Sequence, residues 1–460
     1  MAPSPFAATL KDSGLFVEQA FINGQWVSSK SQKTFEVWNP ASEALIGCCP
    51  ECTTDDVHDA IQAASAAFQP WRSLTGRQRG RILCRVYDYM VDSKEDLRRI
   101  ITAENGKAHV DAGGEAFFAA SFFEWFGEEA PRVYGDVIPH SSATSRVHVI
   151  KQPVGVCGLI TPWNFPLAMG ARKIAAALAA GCTVVVKSDG LTPFSLNALA
   201  VLCERAGVPN GALNIVPALK NTPQLGLALC ESPTVKKISF TGSTRVGRLL
   251  MQQSSHTLKK LSLELGGNAP FIVFDDADVD VAVSSALVSK FRVSGQTCVC
   301  ANRIFVQNGI YNRFAEKLVE EVKKFRFGNA LDDDMITHGP LTNGTAKVEE
   351  LVADAVAKKA KILVGGNRLP SLGDNFYEAT VLGDANDSMR VSGEEIFGPI
   401  AALARFSTED EVVSRANQCD VGLASYIMTN DLSRSYRVSE RLETGMVGIN
   451  IGVVSDATAP

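Results

Sequence analysis

Buried strands that alternate with helices fill the middle of this chain and limit the folds open to it. Four short apolar segments suit strands buried on both faces, and a segment with helical character separates each from the next. In chain order the strand segments are residues 154–160, 182–187, 213–216 and 237–240. Strands and helices that alternate at this spacing predict a parallel sheet with helices on both faces.

A second alternation of the same kind begins after Glu264. Its strand segments are residues 270–274, 303–306, 360–364 and 401–406. A chain of 460 residues has room for two or three domains. The sequence therefore predicts an α/β fold with two doubly wound parallel-sheet domains.

The composition argues against several classes of protein. Hydrophobic residues make up 46% of the chain and charged residues 21%, which is ordinary for a globular protein. The formal net charge of −5 argues against a nucleic-acid partner, because binding phosphates needs a basic face. No apolar run reaches the length of a membrane span, and the N-terminal residues do not resemble a secretory signal. We therefore expect no membrane partner and a cytoplasmic location.

The eleven cysteines are scattered along the chain, which is typical of reduced thiols and not of a disulfide framework. Cys48, Cys49 and Cys52 form a cluster that raises the question of zinc. No second pair of Cys or His residues follows at the spacing of a zinc finger. We therefore expect no metal.

Cys298 and Glu264 have surroundings that suit catalysis. Cys298 follows a Gly-Gln-Thr segment and precedes a second thiol, Cys300; it is nucleophilic only as a thiolate, so its surroundings must activate it. Glu264 lies among apolar residues and glycines, which predicts a partly buried carboxylate with a raised pKa, suited to a general base. The plainer interpretation is a structural cysteine and a carboxylate paired with a lysine, which we would favour for either residue alone.

Residues 240–247 close a predicted strand and open a predicted helix. Gly242 permits a tight turn, Ser243 suits a helix N-cap, and the free amides suit a phosphate. Four residues separate Gly242 from Gly247, which is not the glycine spacing of the dinucleotide-binding fingerprint. The motif also has no lysine at the position where a P-loop has one. By itself the motif is equally compatible with an ordinary turn.

Further candidates follow the predicted parallel strands, at the edge where such sheets bind ligands. The segment after the first strand is Thr161, Pro162, Trp163 and Asn164. Asn164 suits an amide donor to an oxyanion, although a rigid turn would explain this motif alone. Lys187 ends the next strand, where a cation meets ribose or phosphate. Glu395 adds a second acid, and Phe397 an aromatic ring to support a planar group.

Taken together, these motifs resemble the aldehyde dehydrogenase family. The resemblance runs from about residue 18 to the end of the chain, with the motifs in the family's order and at its spacing: Trp163, Asn164, Lys187, residues 242–247, residues 264–267, Gly295, Gln296, Cys298, Glu395 and Phe397. It implies the oxidation of an aldehyde to a carboxylic acid, with NADP or NAD as the cofactor.

The family resemblance also implies roles. Cys298 attacks the aldehyde carbon, and the Asn164 side chain and the Cys298 backbone amide hold the oxyanion. Hydride passes to the nicotinamide, and Glu264 activates the water that hydrolyses the thioester. Residues expected at the cofactor are Thr161, Pro162, Trp163, Lys187, Ser188, Gly190, Gly242, Ser243, Gly247, Glu395 and Phe397.

A closer resemblance is to the succinate-semialdehyde dehydrogenase branch of the family, through residues 168–173, 289–292, 298–302 and 452–455. It implies that Arg172, Arg292 and Ser455 bind the distal carboxylate of succinate semialdehyde, which suits a guanidinium fork. The alternative is that both arginines are ordinary surface residues. Spacing and family analogy also predict a redox switch, in which Cys300 forms a disulfide with Cys298.

Three features depart from the family pattern. Gly190 stands where an acid is usual, which removes repulsion toward a 2′-phosphate, and Ser188 could donate to one; we therefore expect NADP to be accepted at least as well as NAD. Val293 stands where an asparagine is usual. The sequence stops at Pro460, before a loop and strand that family members have, so we expect an incomplete oligomerisation flap that puts the family's homo-oligomer in doubt.

The predicted domains are a cofactor-binding domain (residues 1–130 and 151–263), a catalytic domain (264–450) and a small β oligomerisation flap (131–150 and 451–460). Two rival hypotheses stay open. One is a dehydrogenase for a different aldehyde in a dedicated biosynthetic pathway. The other is a truncated, weakly active homologue that binds nucleotide.

Overall fold

The computed structural model describes residues 5–459. The strands are β1 Ala20–Ile22, β2 Gln25–Val27, β3 Thr34–Trp38, β4 Leu45–Pro50, β5 Asp136–Pro139, β6 Arg146–Val149, β7 Val156–Ile160, β8 Thr183–Lys187, β9 Leu213–Ile215, β10 Val235–Thr241, β11 Lys260–Glu264, β12 Ala269–Val273, β13 Ala301–Gln307, β14 Lys361–Val364, β15 Thr380–Gly383, β16 Ile400–Phe406, β17 Ala424–Met428 and β18 Met446–Ile449.

The helices are α1 Thr54–Ser73, α2 Gly76–Asp92, α3 Lys94–Asn105, α4 His109–Glu129, α5 Ala168–Ala179, α6 Phe194–Arg205, α7 Thr222–Glu231, α8 Thr244–Ser254, α9 Val279–Phe291, α10 Tyr311–Val322, α11 Thr345–Ala357, α12 Arg390–Gly393, α13 Glu409–Asn417 and α14 Leu432–Ser439. A 3₁₀ turn, Arg292–Gly295, follows α9. Within residues 5–459, no helix is both long enough and apolar enough to cross a membrane.

Two seven-stranded sheets form the two halves of the molecule. The first has the order β11-β10-β7-β8-β9-β1-β2, and the second β14-β15-β16-β13-β12-β17-β18. In the first sheet, the strands from β11 to β9 run parallel. The hairpin β1–β2 follows, with β1 antiparallel to both β9 and β2. The second is parallel except for β14. The predicted α/β fold with two doubly wound sheets is confirmed, with antiparallel strands at the edges.

Buried residues cover both faces of each sheet. Along β8, Val184 and Val186 belong to one apolar cluster and Val185 to another on the opposite face. Along β12, Phe271 and Ile272 likewise point into separate clusters. Alternate side chains point to opposite faces of a strand, so continuous apolar strands need helices on both sides.

One predicted helical region divides in two. The sequence predicts one long helical region from residue 76 to about 105, whereas the structure has α2 and α3 with Ser93 between them. Ser93 has φ −94° and ψ 11°, outside helical angles, so the chain changes direction here. The following helix, α4, packs against α2, α3 and α5.

The predicted flap is a hairpin, β5–β6, with every residue of β5 exposed. Residues 451–459 contain no strand, and Gly452 lies against the backbone of Ser285 on α9. The predicted domain boundaries, including the assignment of residues 451–460 to the flap, stay a prediction.

Candidate active site

The carboxyl ends of four neighbouring parallel strands meet at one edge of the first sheet. Ile160 at the end of β7 pairs with Lys187 of β8, and Thr241 of β10 pairs with Glu264 of β11. Because β10 also pairs with β7, the loops after these strands lie side by side. Ligands bind at this edge in open α/β sheets.

Cys298 is half-buried in the loop between the 3₁₀ turn and β13. The segment after β11 lies directly against it, since a Cβ built on Gly267 would be 2.3 Å from the Cys298 carbonyl oxygen. Only glycine permits so close an approach of two backbones. The two motifs that contain Glu264 and Cys298 therefore meet in space.

Negative groups surround the sulfur of Cys298. Burial, together with the nearby Glu395, Cys300 and Glu264, raises the pKa of the Cys298 thiol to about 12, although its own backbone N–H lowers it. The thiol is therefore protonated at neutral pH unless a positive charge is brought to it. The effect of both carboxylates on one sulfur indicates that all three groups face the same cleft.

The predicted partial burial of Glu264 is wrong. Glu264 is the last residue of β11, an edge strand, and its side chain is exposed. Lys173 on α5 lies near it: burial lowers the pKa of Lys173 to about 7, and the charge of Glu264 opposes that fall. The Lys173 ammonium donates to Ser239 Oγ at 3.0 Å. An exposed carboxylate has the access to water that a general base needs.

Asn164 reaches the Cys298 loop from the first domain. Its side chain is buried, and Nδ2 donates to the Gln296 carbonyl at 2.8 Å. A side-chain amide carries two N–H donors, so this bond leaves one available beside Cys298. The predicted role of Asn164 as an oxyanion donor is consistent with this position and stays a prediction.

The backbone before Cys298 is left-handed at three successive residues. Val293, Ser294 and Gly295 have φ of 55°, 51° and 77°. A β-branched residue adopts this region only under strain, whereas asparagine tolerates it. The asparagine usual in the family at the position of Val293 thus has a conformational reason.

Other predicted cofactor residues lie around the same cleft. A cavity of about 360 Å³ is lined in part by Thr244, Gly266, Gly267 and Glu395. Glu395 Oε1 accepts a hydrogen bond from the Gly267 amide at 3.1 Å. The rings of Trp163 and Phe397 meet edge to face, with centroids 5.6 Å apart. The cavity, the carboxylate and the aromatic pair suit a ribose and a planar ring.

The turn after β10 opens α8, as the sequence predicts. Ser243 is the exposed N-cap of α8 and accepts from the Val246 amide at 3.4 Å. Gly242 is half-buried against the ring of Phe240, and Gly247 is buried against Leu265. The free amides and positive dipole end of such a helix suit a phosphate.

Lys187 ends β8 and Ser188 and Gly190 follow it, next to Thr161 and Pro162 after β7. Lys187 is buried, which lowers its pKa, and its carbonyl accepts from the Thr161 amide at 3.2 Å. Ser188 is fully buried, and its Oγ has no hydrogen-bond partner within residues 5–459. A Cβ on Gly190 would lie 2.8 Å from the Ala218 carbonyl oxygen, so a larger residue requires that segment to move.

Arg292 and Arg172 each lie over an aromatic ring. The Arg292 guanidinium is 5.6 Å from the Phe165 ring centroid, and that of Arg172 is 5.3 Å from the ring of Phe122. Burial raises the pKa of Tyr426, and the charges of Arg292 and Cys298 both affect it as well. Because both groups lie near Tyr426, Arg292 also lies near the nucleophile Cys298. Ser455 is half-buried in the segment 451–459, and its role stays a prediction.

Cys300 points into the protein. Its sulfur accepts from Thr297 Oγ1 at 2.9 Å and donates toward the Gly295 carbonyl at 3.3 Å, with 2% of the residue exposed. A disulfide with Cys298 therefore requires the loop to rearrange, and the redox switch stays a prediction. Within the described part of the chain, no group of three His, Cys, Asp or Glu residues could hold a metal ion.

Sequence reasoning missed three charged residues beside these loops. Lys107 and Glu115 form a fully buried ion pair, and Asp111 accepts from the Val293 amide at 2.7 Å. One signal was available for Glu115, since it shares a face of α4 with the buried Ala112 and Ala119, and an acid on an apolar face is uncommon.

Comparisons with known proteins agree with the geometry. The model of the "Aldehyde dehydrogenase family" matches residues 26–460. The mitochondrial succinate-semialdehyde dehydrogenase of Arabidopsis thaliana is 52% identical over 453 residues, which are 98% of this chain and 85% of that protein. A glutarate-semialdehyde dehydrogenase of Pseudomonas putida is 50% identical, over 98% of this chain and 93% of that protein.

Among solved structures, the chain is similar to one described as an Escherichia coli NADP dependent enzyme. The TM-score is 0.96 with 50% sequence identity, and the match covers 98% of this chain and 94% of the other. A match of this extent in sequence and structure agrees with the cleft built around Cys298. The chain belongs to the aldehyde dehydrogenase family and is an oxidoreductase.

Proposed function

We propose that this chain oxidises succinate semialdehyde to succinate, with NADP or NAD as the hydride acceptor. The observation that carries the proposal is a single cleft containing Cys298, the Asn164 amide and Glu264, with the Arg292 guanidinium nearby. A nucleophile, an oxyanion donor and a base are the groups that aldehyde oxidation requires.

The chemistry of the chain's own residues follows from their positions. Once the Cys298 thiol has lost its proton to solvent, the thiolate adds to the aldehyde carbon, and the Asn164 amide and the Cys298 backbone N–H stabilise the resulting oxyanion. A bound nicotinamide cofactor supplies the hydride acceptor. Loss of hydride leaves a thioester on Cys298, and Glu264 removes a proton from the water that hydrolyses it, which releases the acid and the thiol.

The charged end of the substrate points to Arg292. A guanidinium fork binds a carboxylate with two parallel hydrogen bonds, and Arg172 is a second cation on the neighbouring helix α5. We assign to these two residues, with Ser455, the distal carboxylate of a semialdehyde acid. The relative named as a succinate-semialdehyde dehydrogenase supports this choice of substrate.

Gly190 favours NADP as the cofactor. The position has no side chain, and its backbone abuts the Ala218 carbonyl, so no carboxylate stands there to repel a 2′-phosphate. The solved structure described as an NADP dependent enzyme supports the same assignment. We expect NADP to be accepted at least as well as NAD, with Ser188 near the additional phosphate.

A second candidate substrate is glutarate semialdehyde, one methylene longer, because a relative of nearly equal identity carries that name. One methylene changes discrimination between substrates by only about 10- to 200-fold.

The exposed hairpin β5–β6, with Val137 and Ile138 both exposed, supports a homo-oligomer in which a second chain covers the hairpin. All eleven cysteines are free thiols, which agrees with a cytoplasmic location.

An activity matrix tests the proposal. Succinate semialdehyde, glutarate semialdehyde and hexanal would each be assayed with NADP and with NAD, on this chain and on Cys298→Ala. We expect activity with a semialdehyde acid, much less with hexanal, and none with Cys298→Ala. Equal rates with hexanal and succinate semialdehyde would contradict the substrate, and full activity of Cys298→Ala would contradict the mechanism.

A further inference from the structure

A charged pair lies inside the protein beside the Asn164 loop. The side chains of Lys107, just before α4, and Glu115, on α4, form an ion pair and are both 0% exposed. Taking two charges out of water is costly, and apolar replacements of similar volume are often equally stable. Stability alone therefore gives a weak reason for this pair, and its contacts suggest another.

Apart from the bond between its two members, the side-chain hydrogen bonds of the pair go to the segment that begins at Asn164. The Lys107 ammonium donates to the Asn164 carbonyl at 2.7 Å and lies 4.1 Å from the Phe165 ring centroid. Glu115 Oε1 accepts from the amides of Leu167 at 2.9 Å and Ala168 at 3.1 Å. The pair thus holds both ends of residues 164–168.

Neighbouring hydrogen bonds restrict the same loop further. Asn105 Nδ2 donates to the Trp163 carbonyl at 3.0 Å, and the Asn164 side chain reaches the Gln296 carbonyl at 2.8 Å. With the carbonyls of Trp163 and Asn164 both held, the direction of the Asn164 side chain is fixed. Oxyanion stabilisation depends on donors held in place before the reaction.

We propose that Lys107 and Glu115 are positioning residues for the reaction, which fix the backbone of residues 164–168 so that the Asn164 amide points at the oxyanion beside Cys298. The inference rests on the proposed function. The role differs from packing, because the pair is expected to act on the reaction through the Asn164 side chain.

A double-mutant cycle tests the pair. The variant Lys107→Met/Glu115→Gln removes both charges together and keeps a side-chain oxygen for the Leu167 and Ala168 amides. It would be made in the unchanged chain and in Asn164→Ala, which retains the backbone carbonyl that Lys107 contacts. The measurement is the burst rate of NADPH formation on rapid mixing with succinate semialdehyde, alongside the NADP dissociation constant and the thermal midpoint.

We expect the double variant to lower the burst rate about 10- to 100-fold, since a displacement near 1 Å costs about 10²-fold, with little change in NADP binding. In Asn164→Ala the same change should cost less than about threefold, because the amide it positions is absent. An equal loss in both backgrounds would overturn the inference while leaving the proposed function intact.

Two further outcomes are distinguishable. If Asn164→Ala itself has the burst rate of the unchanged chain, the oxyanion role in the proposed function fails and the inference with it. If the double variant does not fold, Glu115→Gln alone in the two backgrounds gives the same comparison. Lys107→Arg, which keeps the cation, should recover more of the burst rate than Lys107→Met; no recovery would count against the inference.

Discussion

The Asn164 loop and the Cys298 loop meet in one cleft but hold their shapes differently. No residue of 161–168 has a positive φ, and its backbone groups are bonded to buried charged side chains. Residues 293–295 are all left-handed, and the carboxylate of Asp111 accepts from the Val293 amide. Charged side chains support both loops, but only the Cys298 loop is held in a strained backbone conformation.

The difference suggests a division of labour. An oxyanion donor must keep one direction throughout the reaction, and a buried ion pair provides that rigidity. A nucleophile must change its charge state and its bonding to carbon during turnover. The surroundings of Cys298 keep the thiol neutral, since burial and the neighbouring acidic groups raise its pKa to about 12.

Alkylation of Cys298 in the free enzyme should depend steeply on pH. A raised pKa favours the neutral thiol, so the reactive thiolate fraction grows tenfold for each pH unit below about 12. From pH 7 to pH 10 the rate of iodoacetamide incorporation at Cys298, followed by mass spectrometry, should rise about 10³-fold. A plateau near pH 8.5, as for free cysteine, would show that the loop does not suppress ionisation.

Arg292→Ala should reduce activity toward charged substrates only. Arg292 begins the 3₁₀ turn of the Cys298 loop, and a hydrogen bond to a charged group contributes about 1.5–3 kcal/mol. We expect kcat/KM for succinate semialdehyde to fall about 10- to 150-fold, with less than a threefold change for hexanal. Arg292→Lys is the matched control and should recover part of the loss. Equal losses for both aldehydes would indicate that Arg292 supports the loop and does not select the substrate.

Asp111→Ala should weaken the Cys298 loop by leaving the Val293 amide without its acceptor. The cost is about 1–3 kcal/mol of stability, and we expect the burst rate to fall by about tenfold or less. Asp111→Asn keeps an acceptor oxygen and should lie nearer to the unchanged chain in thermal unfolding. If Asn and Ala substitutions were equally harmful, the negative charge and not the hydrogen bond would be what matters.

The smallest effect concerns the strain itself. Lys359, which is exposed, has a φ of 76°, and Lys359→Gly should raise the free energy of unfolding by about 1 kcal/mol, because glycine adopts this conformation without strain. Val293 has a similar φ but is 2% exposed in the first apolar core. Val293→Gly should therefore lower stability, because the lost burial exceeds the relief. A gain at both positions would mean that packing does not hold the strained loop.

Local patterns were enough to predict the parallel strands and most residues of the cleft. Apolar runs such as residues 182–187 predict β8 without any knowledge of its partners, and residues 161–164 follow a strand that ends at the ligand-binding edge. The family resemblance supplied the pairing of Cys298 with Glu264. Neither source depends on long-range detail.

What could not be predicted depends on contacts between distant segments. The exposure of Glu264 follows from the position of β11 at the edge of its sheet. The role of Lys107 depends on a bond to Asn164, which is 57 residues away. The strain at Val293 depends on an acceptor from α4. None of these leaves a local pattern in the sequence.

The most direct test of the shared cleft uses Glu264→Gln, which removes the base and keeps the nucleophile and the oxyanion donor. On rapid mixing with NADP and succinate semialdehyde, we expect a burst of NADPH close to one equivalent per chain. Steady turnover should then be about 10²- to 10⁴-fold slower than in the unchanged chain, because the thioester on Cys298 persists. No burst, or turnover equal to that of the unchanged chain, would contradict the account.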